Sequence, residues 1–168
     1  MSKTQIIFSE KQRQKPFWVW LVLGVVFAIF LYTFIMQIVF NSPVGNQPAS
    51  DWVLYLNLVL ILLLGYLFHF IGLNLEVRED AIYYKFTPFH LKWRQVAFSQ
   101  IKKAYVRTYH PITEYGGWGW RLGVGGQGRA LTVKGNKGLQ VELLSGKKIL
   151  FGTQKPKELD QAIPNNLK

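Results

Sequence analysis

Two stretches of the chain are apolar on every side. From Phe17 to Phe40, 24 residues run without a charge, interrupted only by Gly24, Thr33 and Gln37. From Trp52 to Leu73, 22 residues are broken only by Asn57, Gly65, His69 and Gly72. A helix of the first length measures about 36 Å, enough to cross a hydrocarbon core of about 30 Å with some tilt. A soluble helix of this length keeps a polar face. The pattern therefore predicts transmembrane helices at 17–40 and 52–73. Trp18, Trp20, Trp52 and Tyr55 open the two runs, where rings with one polar end suit the headgroup level. A cleaved signal peptide fits the first run poorly, because its apolar core is too long and Val39-Phe40-Asn41-Ser42-Pro43 is no small-residue cleavage site. The connection 41–51 (NSPVGNQPASD) is short and polar, so the two helices form an antiparallel hairpin.

From residue 74 onward the pattern changes to short runs with β-like alternation, separated by turns. Leu75–Val77, Ile82–Phe86, Leu91–Phe98, Ile101–Tyr109, Trp118–Leu122, Ala130–Val133, Leu139–Leu144 and Lys148–Phe151 read as strands. Ser145-Gly146 marks a hairpin and Gly135–Gly138 another turn. The end reads as a short helix. Pro156 suits its first turn, Leu159, Ala162 and Ile163 share a face, and Pro164 stops it. Residues 74–168 are enough for one small core.

Charge adds orientation. Sixteen Lys and Arg follow Leu73, four (Lys3, Lys11, Arg13 and Lys15) precede Phe17, and the 41–51 loop has none. The positive-inside rule places both termini in the cytoplasm and the loop outside. The expectation is a multi-pass protein of a bacterial inner membrane, with a basic cytoplasmic segment at 1–16 and a cytoplasmic domain at 74–168. The formal charge of +11 favours an anionic leaflet as neighbour over nucleic acid, because the cations are spread and the spans restrict what the domain can meet.

The stretch GRALTVKGNKGLQVELLSGKKILFGTQKPKELDQAI, Gly128–Ile163, resembles the closing strands and capping helix of bacterial pleckstrin-homology-like (PH-like) domains. YGGWGWR, Tyr115–Arg121, resembles a segment of the same domains. Two spans followed by such a domain form an arrangement found in small bacterial membrane proteins of that type. The resemblance implies a membrane α-helical hairpin plus a mainly-β PH-like barrel, built of two near-orthogonal antiparallel sheets and closed by the C-terminal helix. It brings no catalytic residue. It implies binding of lipids, peptides or proteins.

The chemistry available in the sequence is sparse. Cysteine is absent, which removes disulfides, thiol nucleophiles and thiolate metal sites. Gly123-Val124-Gly125-Gly126-Gln127-Gly128 matches G-x-G-x-x-G, but Arg129–Val133 after it reads as a strand where dinucleotide binding needs a helix. The seven glycines of Gly116–Gly128 are then either a flexible hairpin or a contact loop. In the second reading Trp118, Trp120 and Arg121 anchor a protein partner. Lys85, Lys92 and Arg94 have the form of the K-x-n-K-x-R signature of phosphoinositide-binding PH domains, and make the candidate lipid or anion contact. Gln37 and Asn57 lie at similar depth near the outer ends of the two helices. Either they hydrogen-bond to each other or each reaches headgroup water. His69 is near enough to its helix end to snorkel, and His90 and His110 neighbour Pro-marked turns and should be exposed. No metal site, cofactor motif or positioned nucleophile is legible, so a non-enzyme is expected. The expected role is a membrane-anchored binding or scaffolding protein that contacts anionic lipid, a membrane protein partner or a second copy of itself. The alternative is a small accessory subunit or assembly factor of a larger membrane complex.

Overall fold

The computed structural model describes residues 5–13 and 17–168. The chain forms two compact units, one of residues Lys15–Phe70 and one that joins Met1–Gln14 to Ile71–Lys168.

The first unit is helical. Helix α1 (Phe17–Phe34) continues through a π-helical turn, Ile35–Val39, and α2 spans Asp51–Phe70. The rings of Trp20 and His69 meet at 6.3 Å and those of Phe34 and Tyr55 at 5.1 Å. The start of each helix thus lies beside the end of the other, as an antiparallel hairpin requires. Both helices are long and apolar enough to cross a membrane. The second run ends three residues earlier than its hydropathy suggested. Gly72 and Leu73 already belong to a strand, and Leu73 is fully buried in the other unit's core.

The second unit is mostly β. One sheet has the order β1-β2-β3-β4, with β1 Ile6–Arg13, β2 Gly72–Arg78, β3 Ala81–Thr87 and β4 Arg94–Ala97. The other has the order β5-β8-β9-β7-β6, with β5 Ile101–Thr108, β6 Gly119–Leu122, β7 Arg129–Thr132, β8 Lys137–Leu143 and β9 Lys148–Gly152. A short helix α3 (Pro111–Tyr115) precedes β6, and α4 (Pro156–Ala162) follows β9. Alternation explains the core. Leu73, Leu75 and Val77 of β2 and Ile82 and Phe86 of β3 turn inward, to meet Leu131, Leu139, Val141 and Phe151 of the second sheet and Leu159 of α4.

Two expectations change here. The sheets do not join into a closed barrel, and the second is not wholly antiparallel, since β7 runs parallel to β9 from Arg129↔Ile149 to Leu131↔Phe151. The N-terminal segment, expected as a separate basic tail, supplies β1. It pairs antiparallel with β2, from Ile6↔Arg78 to Arg13↔Gly72. Lys3 and Lys15 lie outside the described residues. The β domain is therefore discontinuous in sequence, and the helical hairpin is inserted between its first two strands.

β1 is held by more than its ladder. Phe8 is buried in the core. Glu10 and Gln12 also point inward, where their polar ends find partners at the end of β9 and in the two residues after it. The Thr153 hydroxyl donates to Glu10 Oε2 at 2.6 Å, the Gln154 N–H donates to Glu10 Oε1 at 2.8 Å, and Gln12 Nε2 donates to the Gly152 carbonyl at 2.7 Å. These bonds pair both oxygens of the buried Glu10 carboxylate and the Gln12 amide nitrogen, while Gln12 Oε1 is buried without a hydrogen-bond partner among the described residues.

Candidate functional site

The register of the first sheet decides where its cations go. Neighbouring positions across a sheet share a face, so Lys11, Asn74 and Lys85 form one row on the outward side (Lys11↔Asn74, Asn74↔Lys85). Arg13, Gly72 and Thr87 form the next row. With strands about 4.8 Å apart, Lys11 and Lys85 are rooted about 10 Å from each other. Gly72 lies two positions after Phe70, the last residue of α2, so these rows mark the end of the sheet from which the chain continues into the helical hairpin. Among the described residues, no carboxylate forms an ion pair with Lys11, Arg13, Lys85, Lys92 or Arg94. No Asp or Glu occurs from Ala81 to Thr113.

The expected trio does not converge. Arg94 stands opposite Tyr84, while Lys85 is the next residue along β3 and points to the other face. Lys92 sits in the loop between β3 and β4 and is exposed, like Arg94. Lys85 instead keeps company with Lys11 and Arg13. Those two were hidden because β1 does not read as a strand: its inward positions after Phe8 are Glu10 and Gln12, which break the apolar alternation. The only available signal was the β-branched start Ile6-Ile7 before Phe8.

The loop from Pro88 to Trp93 is the second element of this end of the sheet, since it follows Thr87 directly. Its apolar side chains are turned out. Phe89 is 58% exposed, Leu91 84% and Trp93 43%. Leu91–Trp93 was expected as part of a strand, but β4 starts only at Arg94. His90 was expected at the surface and is 5% exposed. Its backbone N–H donates to the Phe86 carbonyl at 2.7 Å, and its Nδ1 accepts from the Phe86 N–H at 3.4 Å. Burial, and then the nearby Arg94 charge, holds the His90 imidazole below its ordinary pKa. His110 is exposed, as expected.

Trp118, Trp120 and Arg121 are placed by different partners. Trp118 Nε1 donates to the Gly135 carbonyl at 2.7 Å, and Arg121 Nε donates to the Trp118 carbonyl at 3.3 Å. Trp120 turns to the β3–β4 loop, with its ring 5.5 Å from Phe89 and 5.8 Å from His90. The glycine-rich segment around them is a folded β6–β7 hairpin behind α3. A Cβ at Gly123 would stand 2.8 Å from the Tyr115 ring, and one at Gly128 would overlap the Lys148 carbonyl oxygen. Here glycine is required by close packing. As its sequence context indicated, G-x-G-x-x-G leads into a strand.

α3 is fixed by Arg107, whose guanidinium donates to Glu114 Oε2 at 2.7 Å, to Gln140 Oε1 at 3.0 Å and to the Tyr115 hydroxyl at 3.3 Å. The Arg107 hydrogen bond lowers the Glu114 pKa against the opposing effect of burial, and the His110 N–H helps. This cluster contains no nucleophile beside a base. Among the described residues, no group of three or more His, Asp or Glu side chains could hold a metal.

Gln37 and Asn57 do not meet. Gln37 Nε2 donates to the Ala49 carbonyl at 2.7 Å and to Asp51 Oδ1 at 2.6 Å, while Asn57 Nδ2 donates to the Val53 carbonyl on its own helix at 2.8 Å. From the π turn at the end of α1, Gln37 thus reaches the last part of the loop and Asp51, the first residue of α2, and not Asn57.

A family model of unknown function, DUF6141, matches residues 2–167. The chain belongs to that family. The match runs through β1, the hairpin and the whole β domain, so the interrupted domain is the unit this DUF6141 chain shares with its family. No curated protein and no solved structure matches it.

Proposed function

We propose that this DUF6141 chain is a membrane-anchored, non-enzymatic binding protein whose β domain works against an anionic lipid surface. One observation carries the reading: the Lys11–Asn74–Lys85 row and Arg13, without carboxylate partners among the described residues, stand at the end of the sheet that leads into the helical hairpin. Cations this close along the chain to a membrane segment are attracted by anionic headgroups, each contributing about 1 kcal/mol near the surface. The pairing of β1 with β2 supports the topology. If the hairpin spans, the strands before and after it must emerge on the same face. The positive-inside rule makes that face cytoplasmic, and in a bacterium the membrane is the inner one. Kinship with PH-like domains belongs to the same proposal, supported by the succession of two β sheets and a closing helix.

The test uses the full chain in vesicles of phosphatidylcholine alone or mixed with phosphatidylglycerol. Hydrogen exchange of the β3 amides should slow in the anionic vesicles and recover with added salt. Lys11→Glu with Lys85→Glu should abolish that slowing, whereas Lys147→Glu with Lys148→Glu, at the end of the β8–β9 turn and the start of β9, should not. Equal effects of the two pairs would mean diffuse charge and no site. No difference between the lipids would overturn the reading in favour of a protein partner, as in an accessory subunit.

A further inference from the structure

The β3–β4 loop has the chemistry of a membrane wedge. Three large apolar side chains, Phe89, Leu91 and Trp93, are exposed within five residues, and Lys92 and Arg94 alternate with them. Exposed apolar groups gathered in one place mark an interaction surface. Here they combine with cations and an aromatic ring, the composition of segments that lie at the headgroup–acyl boundary.

The loop is also pinned in shape. His90 is buried beneath it and bonded twice to the Phe86 backbone. The Phe89 ring stacks on Phe86 at 6.1 Å and leans on Trp120 at 5.5 Å. A loop held from below presents its outward side chains with little entropy left to lose on binding.

Its position names the occupant. Thr87 pairs with Gly72, so its Cα lies about 5 Å from a residue two positions beyond α2. Phe89 follows two residues later, within about 7 Å of further chain. With no acidic residue between Ala81 and Thr113, nothing in this segment repels an anionic leaflet.

We propose that Pro88–Arg94, backed by Trp120, is an interfacial wedge: Phe89, Leu91 and Trp93 enter the headgroup–acyl boundary of the bilayer that α1 and α2 cross, while Lys92 and Arg94 stay at the phosphates. This rests on the lipid-surface reading above and adds penetration to attraction.

The absence of cysteine permits a direct test. The full chain is made with Leu91→Cys or, as control, Ser145→Cys in the β8–β9 turn, and each is labelled with an environment-sensitive fluorophore. After reconstitution in phosphatidylcholine–phosphatidylglycerol vesicles, brominated acyl chains should quench the label at 91 severalfold more than the label at 145. Quenching at 91 should persist when salt is added, because apolar insertion is not screened. Quenching no greater at 91 than at 145 overturns the wedge. If that result comes with salt-sensitive slowing of β3 exchange, attraction without penetration is what remains. If neither signal appears, both readings fall. A pyrene label at 91 that gives excimer fluorescence without quenching would assign the loop to a second copy of the chain, and overturns the wedge too.

Discussion

Replacing Phe8 with alanine tests the interrupted domain most directly, because it changes a residue that precedes both helices and asks for an effect on strands that follow them. Phe8 is 6% exposed and packs in the core formed by the two sheets. Truncating a buried Phe costs about 3–5 kcal/mol. A small domain has about 5–15 kcal/mol of stability in all, so this one change removes a large share. Ile7 is the natural control. It is the next residue back, equally apolar, points outward and is 53% exposed. Ile7→Ala should stay within about 0.5 kcal/mol. Hydrogen exchange of the β2 amides, Leu73–Val77, reads the result in the full chain in detergent. At 1.4 kcal/mol per factor of ten, Phe8→Ala should speed exchange of the slowest of these amides by roughly two to three and a half powers of ten. Ile7→Ala should leave it within about twofold, the equivalent of about 0.5 kcal/mol. Unchanged β2 exchange in Phe8→Ala would refute the pairing of β1 with β2, and equal acceleration in both variants would refute the assignment of faces.

Because Arg13 and Gly72 are direct partners, replacing residues 14–71 with a two-residue Asn-Gly turn should leave a folded, water-soluble β domain, seen as dispersed amide NMR signals. A fragment that starts at Asn74 lacks β1 and should show collapsed signals; equally dispersed spectra from both would count against β1 as part of the fold. The Arg107–Glu114 pair gives a pH dependence. A carboxylate whose pKa is lower in the folded than in the unfolded chain contributes stability that is complete above the unfolded value and is lost as pH falls through the folded one. The urea midpoint should therefore drop as pH falls below the ordinary glutamate range, and Glu114→Gln should drop less over that window; parallel curves for the two proteins would disprove the contribution.

The two apolar runs were legible because hydrophobicity on every side, kept up over the length needed to cross a bilayer, is visible in the sequence without any knowledge of the fold. The strands from β2 to β9 and the helix α4 were legible for a local reason, since each carries its own alternation or its own Pro and Gly punctuation. Their neighbours were not. Nothing within β7 or β9 says that they lie parallel, because pairing depends on the path of the whole chain. α3, five residues long, leaves no periodicity to find, and is fixed by Arg107, Glu114 and Tyr115. β1 shows most clearly what only tertiary structure could decide. Its inward Glu10 and Gln12 look like surface residues until Thr153, Gln154 and Gly152, more than a hundred residues away, supply their hydrogen bonds. The same held for the candidate site. Lys85 was recognisable as a basic strand residue, but a one-residue step in register separates it from Arg94 and sets it beside Lys11. Sequence determined most of the elements and which two segments are long and apolar enough to cross a membrane, because those follow from near neighbours and solvent preference. The sheet register, a matter of long-range pairing, decided which charges share a face.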